Sequence, residues 1–115
     1  MPFEIKTRDI GPVTILELSG RLDGTPETAV VHETVRALIG KGRKTLVLDM
    51  GAVPWANSLG IGTLISSSAT ARRAGATLVL CSVGERLLKS LQICGIVPDA
   101  LDVHEDADAA VASLR

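Results

Sequence analysis

Aromatic side chains are nearly missing from this chain: Phe3 and Trp55 are the only two, and there is no tyrosine. Proteins that hold single-stranded nucleic acid do so largely by stacking bases on such rings, so that class is excluded. A surplus of charge is missing as well. The formal net charge is -1, which gives no long-range attraction for nucleic acid or for an anionic membrane surface. The two cysteines, Cys81 and Cys94, stand in no CxxC or Cys/His ligand spacing. They read as small hydrophobes in a reducing compartment rather than as a disulfide or a metal site. The parts of a catalytic centre are also wanting. His32 and His104 fall in no motif with a nucleophile, paired carboxylates or metal ligands. Gly60-Ile61-Gly62 lacks the third glycine of a dinucleotide fingerprint, and there is no Walker lysine. The chain therefore reads as a non-enzymatic protein with no metal and no cofactor. Met1-Pro2-Phe3-Glu4-Ile5-Lys6 contains no apolar signal core, which gives a cytoplasmic expectation.

What is present suits one folded unit. With 115 residues, 46% of them apolar and 22% charged, the chain has the composition of an ordinary domain with a real core and is too short for two. Residues 1–115 are read as a single domain.

The hydrophobic pattern predicts an α/β fold. Phe3, Ile5 and Thr7 alternate with charged neighbours as in a half-exposed edge strand, and Val13 to Ser19 reads as its partner across Asp9-Ile10-Gly11-Pro12. After the Gly20–Gly24 loop, Thr25-Pro26-Glu27 has the residues of a helix start. Val31, Val35, Leu38 and Ile39 give that helix one apolar face, and Gly40 is read as closing it. Thr45–Met50 and Thr77–Cys81 are short and almost wholly apolar, as central parallel strands are. A crossover helix over 58–74 is predicted between them. Ser82-Val83-Gly84-Glu85 matches a capping box for a third helix ending at Gly95, with Ile96 closing it. Residues 100–103 are read as a last strand, and Glu105–Asp108 as the acidic start of a terminal helix. The order β-β-α-β-α-β-α-β-α predicts a mixed sheet with an N-terminal antiparallel hairpin, parallel crossovers and four helices.

One segment stands apart. Gly51 to Ala71 contains no charged residue, yet Pro54, its glycines and Ser66-Ser67-Ser68 rule out a membrane span. It brings Ser58 to a helix start, where free backbone N–H groups and the helix dipole favour an anion such as a phosphate. Ser58 and Asn57 both suit the N-cap, so a capping role and a switch role are both open at this position. On the following helix, Ile61, Leu64, Ile65 and Ser68 are read as the core face. Thr63, Ser67 and Thr70 are left outward as a small, neutral surface suited to docking a partner protein. Asp23 and Asp49 end segments at the same side of the sheet and are candidates to flank Ser58.

With Gly20-Arg21-Leu22-Asp23 ahead of the first helix and a hydrophobic strand leading to Asn57-Ser58-Leu59-Gly60-Ile61-Gly62, the chain resembles the STAS family, and within it bacterial anti-anti-sigma factors. Gly75–Leu80 and Leu91–Ile96 extend the likeness over essentially the whole chain. The resemblance implies a phosphorylation site at Ser58, and Asp23, Asn57, Leu59, Gly60, Thr63 and Ser67 are read as the partner-binding surface around it. It implies an anti-sigma factor that is also a serine kinase as partner, with a serine phosphatase as a second, and a monomer or weak dimer. Asn57 and Leu59 depart from the usual Asp and Ser or Thr of that motif. The alternative it leaves open is a STAS-fold accessory subunit docked on the ATPase of a lipid-transporting ATP-binding cassette machine.

Overall fold

A computed structural model describes residues 3–114. Five strands, β1 (Glu4–Ile10), β2 (Val13–Ser19), β3 (Thr45–Ala52), β4 (Thr77–Cys81) and β5 (Val103–His104), form one sheet in the order β1-β2-β3-β4-β5. The β1–β2 pair is antiparallel and the remaining pairs are parallel. Four helices, α1 (Pro26–Gly40), α2 (Ser58–Arg73), α3 (Glu85–Ile93) and α4 (Ala107–Ser113), complete the α/β fold. The mixed sheet, its opening hairpin and its helices are those the sequence predicts.

The two faces of the sheet carry different residues because side chains alternate along a strand. Leu16, Leu18, Leu46, Leu48, Met50, Leu78 and Leu80 turn to one face and pack with Val31 and Val35 of α1, Ile61 and Leu64 of α2, and Leu87 and Leu91 of α3. Val13, Ile15, Val47, Val79 and Cys81 turn to the other and are covered by Ala110 and Val111 of α4. Burial of each such leucine contributes about 1.5–3 kcal/mol, so the leucine face holds most of the core.

Several boundaries move from their predicted places. Helix α1 ends at Gly40, but Gly42, with φ +89, makes the left-handed turn. The Gly42 and Arg43 amides donate to the Ile39 and Leu38 carbonyls at 2.9 and 3.0 Å, the paired closure of a Schellman motif. Helix α3 closes as expected, with Gly95 at φ +74 and the buried Ile96 donating to the Leu91 carbonyl at 3.0 Å. The capping box does not form. Helix α3 starts at Glu85 with Gly84 as N-cap and no side-chain cap, because Ser82 sits in the left-handed region at φ +57 and lies outside the helix. The last strand is only Val103–His104, since the Ala100 and Leu101 amides turn back to the Ile96 carbonyl. Asp106 caps α4 by accepting from the Ala109 amide at 2.8 Å.

Candidate functional site

The site is built where β2 and β3 run out. Backbone pairing continues past the strands: the Gly20 amide donates to the Ala52 carbonyl at 3.0 Å, Leu22 to Trp55 at 3.2 Å, and Asn57 back to Leu22 at 3.1 Å. Leu22 and Ala56 form a parallel bridge, and the Leu22 side chain is fully buried. The 20–25 loop and the 53–57 loop are thereby joined as one ledge. Arg21 lies over the Trp55 ring at 5.9 Å, a cation–π contact on the outside of the same ledge.

Helix α2 starts hard against this ledge. A Cβ on Gly60 would stand 1.8 Å from the Leu22 carbonyl oxygen, and one on Gly24 (φ +78) would stand 2.2 Å from the Leu59 Cβ. Only glycine at both places lets backbone meet helix so closely. Gly60 is buried by this contact, so its part in the site is packing and it offers no surface to a partner.

Asn57 is the N-cap, its Oδ1 accepting from the Gly60 amide at 2.9 Å. Its Nδ2 donates to the Asp23 carbonyl at 2.8 Å. Ser58 is the first helical residue and is exposed, its hydroxyl in no hydrogen bond among the described residues. Of the two residues suited to capping, Asn57 takes the role and Ser58 is free of it. Beside them Leu59 is 70% exposed. The Asp23 carboxylate accepts from the Thr25 amide at 3.1 Å, and that bond holds its pKa below the ordinary value.

Asp49 does not flank Ser58. It follows Val47 on the face covered by α4, and its Oδ1 accepts from the Gly51 amide at 3.0 Å. Nor does the expected outward face of α2 lie where the sequence put it. Ser67 is fully buried, its hydroxyl donating to the Thr63 carbonyl at 2.8 Å, and Thr63 is half-buried, whereas Ile65, expected in the core, is 47% exposed. The helix packed beside α2 is α1, whose His32 meets Thr70, in one row with Thr63 and Ser67, at 2.7 Å. That contact turns the buried stripe to Gly60, Ile61, Leu64, Ser67, Ser68 and Ala71. The outer face is consequently Ser58, Gly62, Ile65, Ser66 and Ala69. It is uncharged until Arg72 and Arg73 at its far end, with Ile65 its one large apolar side chain.

Sequence reasoning missed Leu22 and Trp55, which hold the ledge, and Ile65 and Ser66, which face out. The glycines at 24 and 60 were the signal for the first pair. For the second there was none, because the flanking helix is a tertiary feature. Among the described residues no group of three or more His, Cys, Asp or Glu side chains is gathered closely enough to hold a metal ion. No helix there is long and apolar enough to cross a membrane.

The STAS domain model matches residues 4–110. The chain belongs to the STAS domain family. Similar solved structures include a putative anti-sigma factor antagonist from Thermotoga maritima, 16% identical, with TM-score 0.86, covering 96% of this chain and 94% of that one. The Bacillus cell fate determinant SpoIIAA in its phosphorylated form is 15% identical, with TM-score 0.74, covering 97% of this chain and 100% of that one; SpoIIAA is an anti-sigma factor antagonist. A sulfate transporter family protein from Wolinella succinogenes is 25% identical, with TM-score 0.80, covering 92% and 88%. No curated protein matches the sequence. This STAS domain thus shares its fold with anti-sigma factor antagonists and with a transporter-family protein.

Proposed function

We propose that this STAS domain is a cytoplasmic anti-sigma factor antagonist that docks on an anti-sigma factor with serine-kinase activity and is switched off by phosphate on Ser58, with a serine phosphatase restoring it. The single observation that carries this reading is the division of labour at the start of α2: Asn57 caps the helix, so the exposed Ser58 hydroxyl has no structural duty.

The chemistry follows from position. A phosphoryl group on Ser58 brings about -1.5 to -2 charge to a helix start whose Ser58 and Leu59 amides have no partner among the described residues. The helix dipole stabilises an anion there by about 0.3–1 kcal/mol, so phosphorylation leaves the domain folded. Docking is another matter. The outer face of α2 is uncharged from Ser58 to Ala69, and burying a dianion against a partner shaped for it costs several kcal/mol, at least about a hundredfold in Kd. The interface therefore fails while the fold survives. Leu59, with Asn57 and Asp23 beside it, adds apolar area next to the acceptor, and half-buried Thr63 borders the contact on the α1 side.

Titrating the cognate anti-sigma factor into wild type, Ser58→Ala and Ser58→Asp tests the reading. Ser58→Ala should bind as wild type does and Ser58→Asp at least about thirtyfold more weakly, both with unchanged melting curves. Exposed Leu59 equally suits a constitutive subunit docked on a transport ATPase. Equal affinity of Ser58→Asp and wild type, with capture of an ATP-binding cassette ATPase in place of the kinase, would replace the first reading with the second.

A further inference from the structure

We infer that the Asn57 side-chain amide is the positioning group of this surface: it welds the 20–25 loop to the start of α2, so that Asp23, Ser58 and Leu59 are offered as one rigid unit. The inference rests on the reading of Ser58 as the acceptor, and it adds the residue that sets the acceptor's geometry.

Both ends of one amide are used. Oδ1 accepts from the Gly60 amide at 2.9 Å, and Nδ2 donates to the Asp23 carbonyl at 2.8 Å. The reverse orientation would set the amide nitrogen against a backbone N–H and the amide oxygen against a carbonyl, so the network fixes the assignment. The Asn57 backbone joins in, its N–H donating to the Leu22 carbonyl at 3.1 Å and its C=O accepting from Ile61 at 2.9 Å. One residue thus holds two neighbours on the loop and two on the helix. The second hold is not needed for capping, which uses Oδ1 alone. What the Nδ2 bond does is fix Asp23, whose carboxylate accepts from the Thr25 amide, and hold Gly24 against Leu59. Ser58 lies directly between these contacts in the chain. Without them the acceptor has a capped helix behind it and a loose loop beside it.

Asn57→Asp separates the two duties, because a carboxylate accepts from the Gly60 amide as well as an amide oxygen does but has no proton for the Asp23 carbonyl. Amide hydrogen exchange on the intact chain reads the weld directly. In Asn57→Asp the Leu22 and Asn57 amides should exchange about three- to tenfold faster, the loss expected of one net hydrogen bond, while the Gly60 amide keeps its protection. With the serine kinase and ATP, KM for the variant should rise by a similar factor at unchanged kcat, since the loosened surface must be ordered again on docking while the docked acceptor reacts as before. Asn57→Ala, which loses both holds, should also expose the Gly60 amide and lower Tm. Unchanged exchange at Leu22 and Asn57 in Asn57→Asp overturns the weld. Faster exchange with KM and kcat both as in wild type overturns its positioning role. Should wild type itself take no phosphate, the reading of Ser58 fails, and with it the positioning role, while the exchange result still decides whether the weld exists.

Discussion

Gly60 and Gly62 lie on the same helix two residues apart, and the same substitution should move stability in opposite directions. Alanine is the better helix former by about 1 kcal/mol, so a helical glycine with room around it gains by the change. A Cβ on Gly62 meets nothing within 4 Å, and Gly62→Ala should raise Tm by about 2–4 °C. A Cβ on Gly60 falls 1.8 Å from the Leu22 carbonyl oxygen and 2.6 Å from its carbon, against an ordinary separation of about 3.5 Å. Both partners are backbone, so no rotamer relieves the clash; the helix start must lift off the ledge. Overpacking of this kind costs about 1–3 kcal/mol, and the Asn57–Leu22 backbone bond it breaks about 0.5–1.5 kcal/mol more. Against the propensity gain, Gly60→Ala should lose about 0.5–3.5 kcal/mol, a fall in Tm of about 2–14 °C for a chain of this length. Differential scanning calorimetry of the two variants settles it. A Tm for Gly60→Ala within 2 °C, roughly the resolution of the argument, would refute the close packing of α2 on the Leu22 ledge.

Further expectations follow from other parts of the molecule. Asp106→Ala removes the α4 cap and should cost about 0.5–2 kcal/mol in a urea titration, with faster amide exchange confined to α4; loss spread over α1 and α2 would contradict the separate covering of the two sheet faces. Burial, with Asp49 nearby, pushes the Cys81 thiol up to about 11, so it is neutral at pH 8. Iodoacetamide there should label exposed Cys94 and leave Cys81 unmodified by mass spectrometry; equal labelling would deny the burial. On α2, Ile65→Glu should weaken partner binding by at least about tenfold with stability changed by less than about 0.5 kcal/mol, whereas Ser67→Glu should unfold the domain before any binding is read. The reverse pattern would restore the face first expected from the sequence.

Much of this was legible in the chain because local and tertiary preferences agree. The alternation of β1, the apolar runs of β3 and β4 and the glycine after α3 each have one reading, and each forms as read. Misreadings arose where a neighbour decided the outcome. Ile65 looks like core and Ser67 like surface by residue type, yet α1 beside α2 turns the helix so that the serine is enclosed and the isoleucine is not. Its hydroxyl survives burial by bonding the Thr63 carbonyl. Ser82 has a capping residue's chemistry but stands in the wrong backbone region for it. At the site, Ser58 and Asn57 were equivalent on paper; Asn57 takes the cap through the Gly60 amide, and the Asp23 carbonyl, set beside it where the β2–β3 pairing continues into the loops, takes its second bond.

The central claim is that the Ser58 hydroxyl is a free acceptor at the head of a capped helix, and direct mapping of phosphate tests it best. Incubated with the cognate serine kinase and ATP, the protein should carry one phosphoryl group, located at Ser58 by fragmentation mass spectrometry, and Ser58→Ala should carry none. Phosphate on another residue, or none on wild type while the kinase modifies other substrates, would contradict the account.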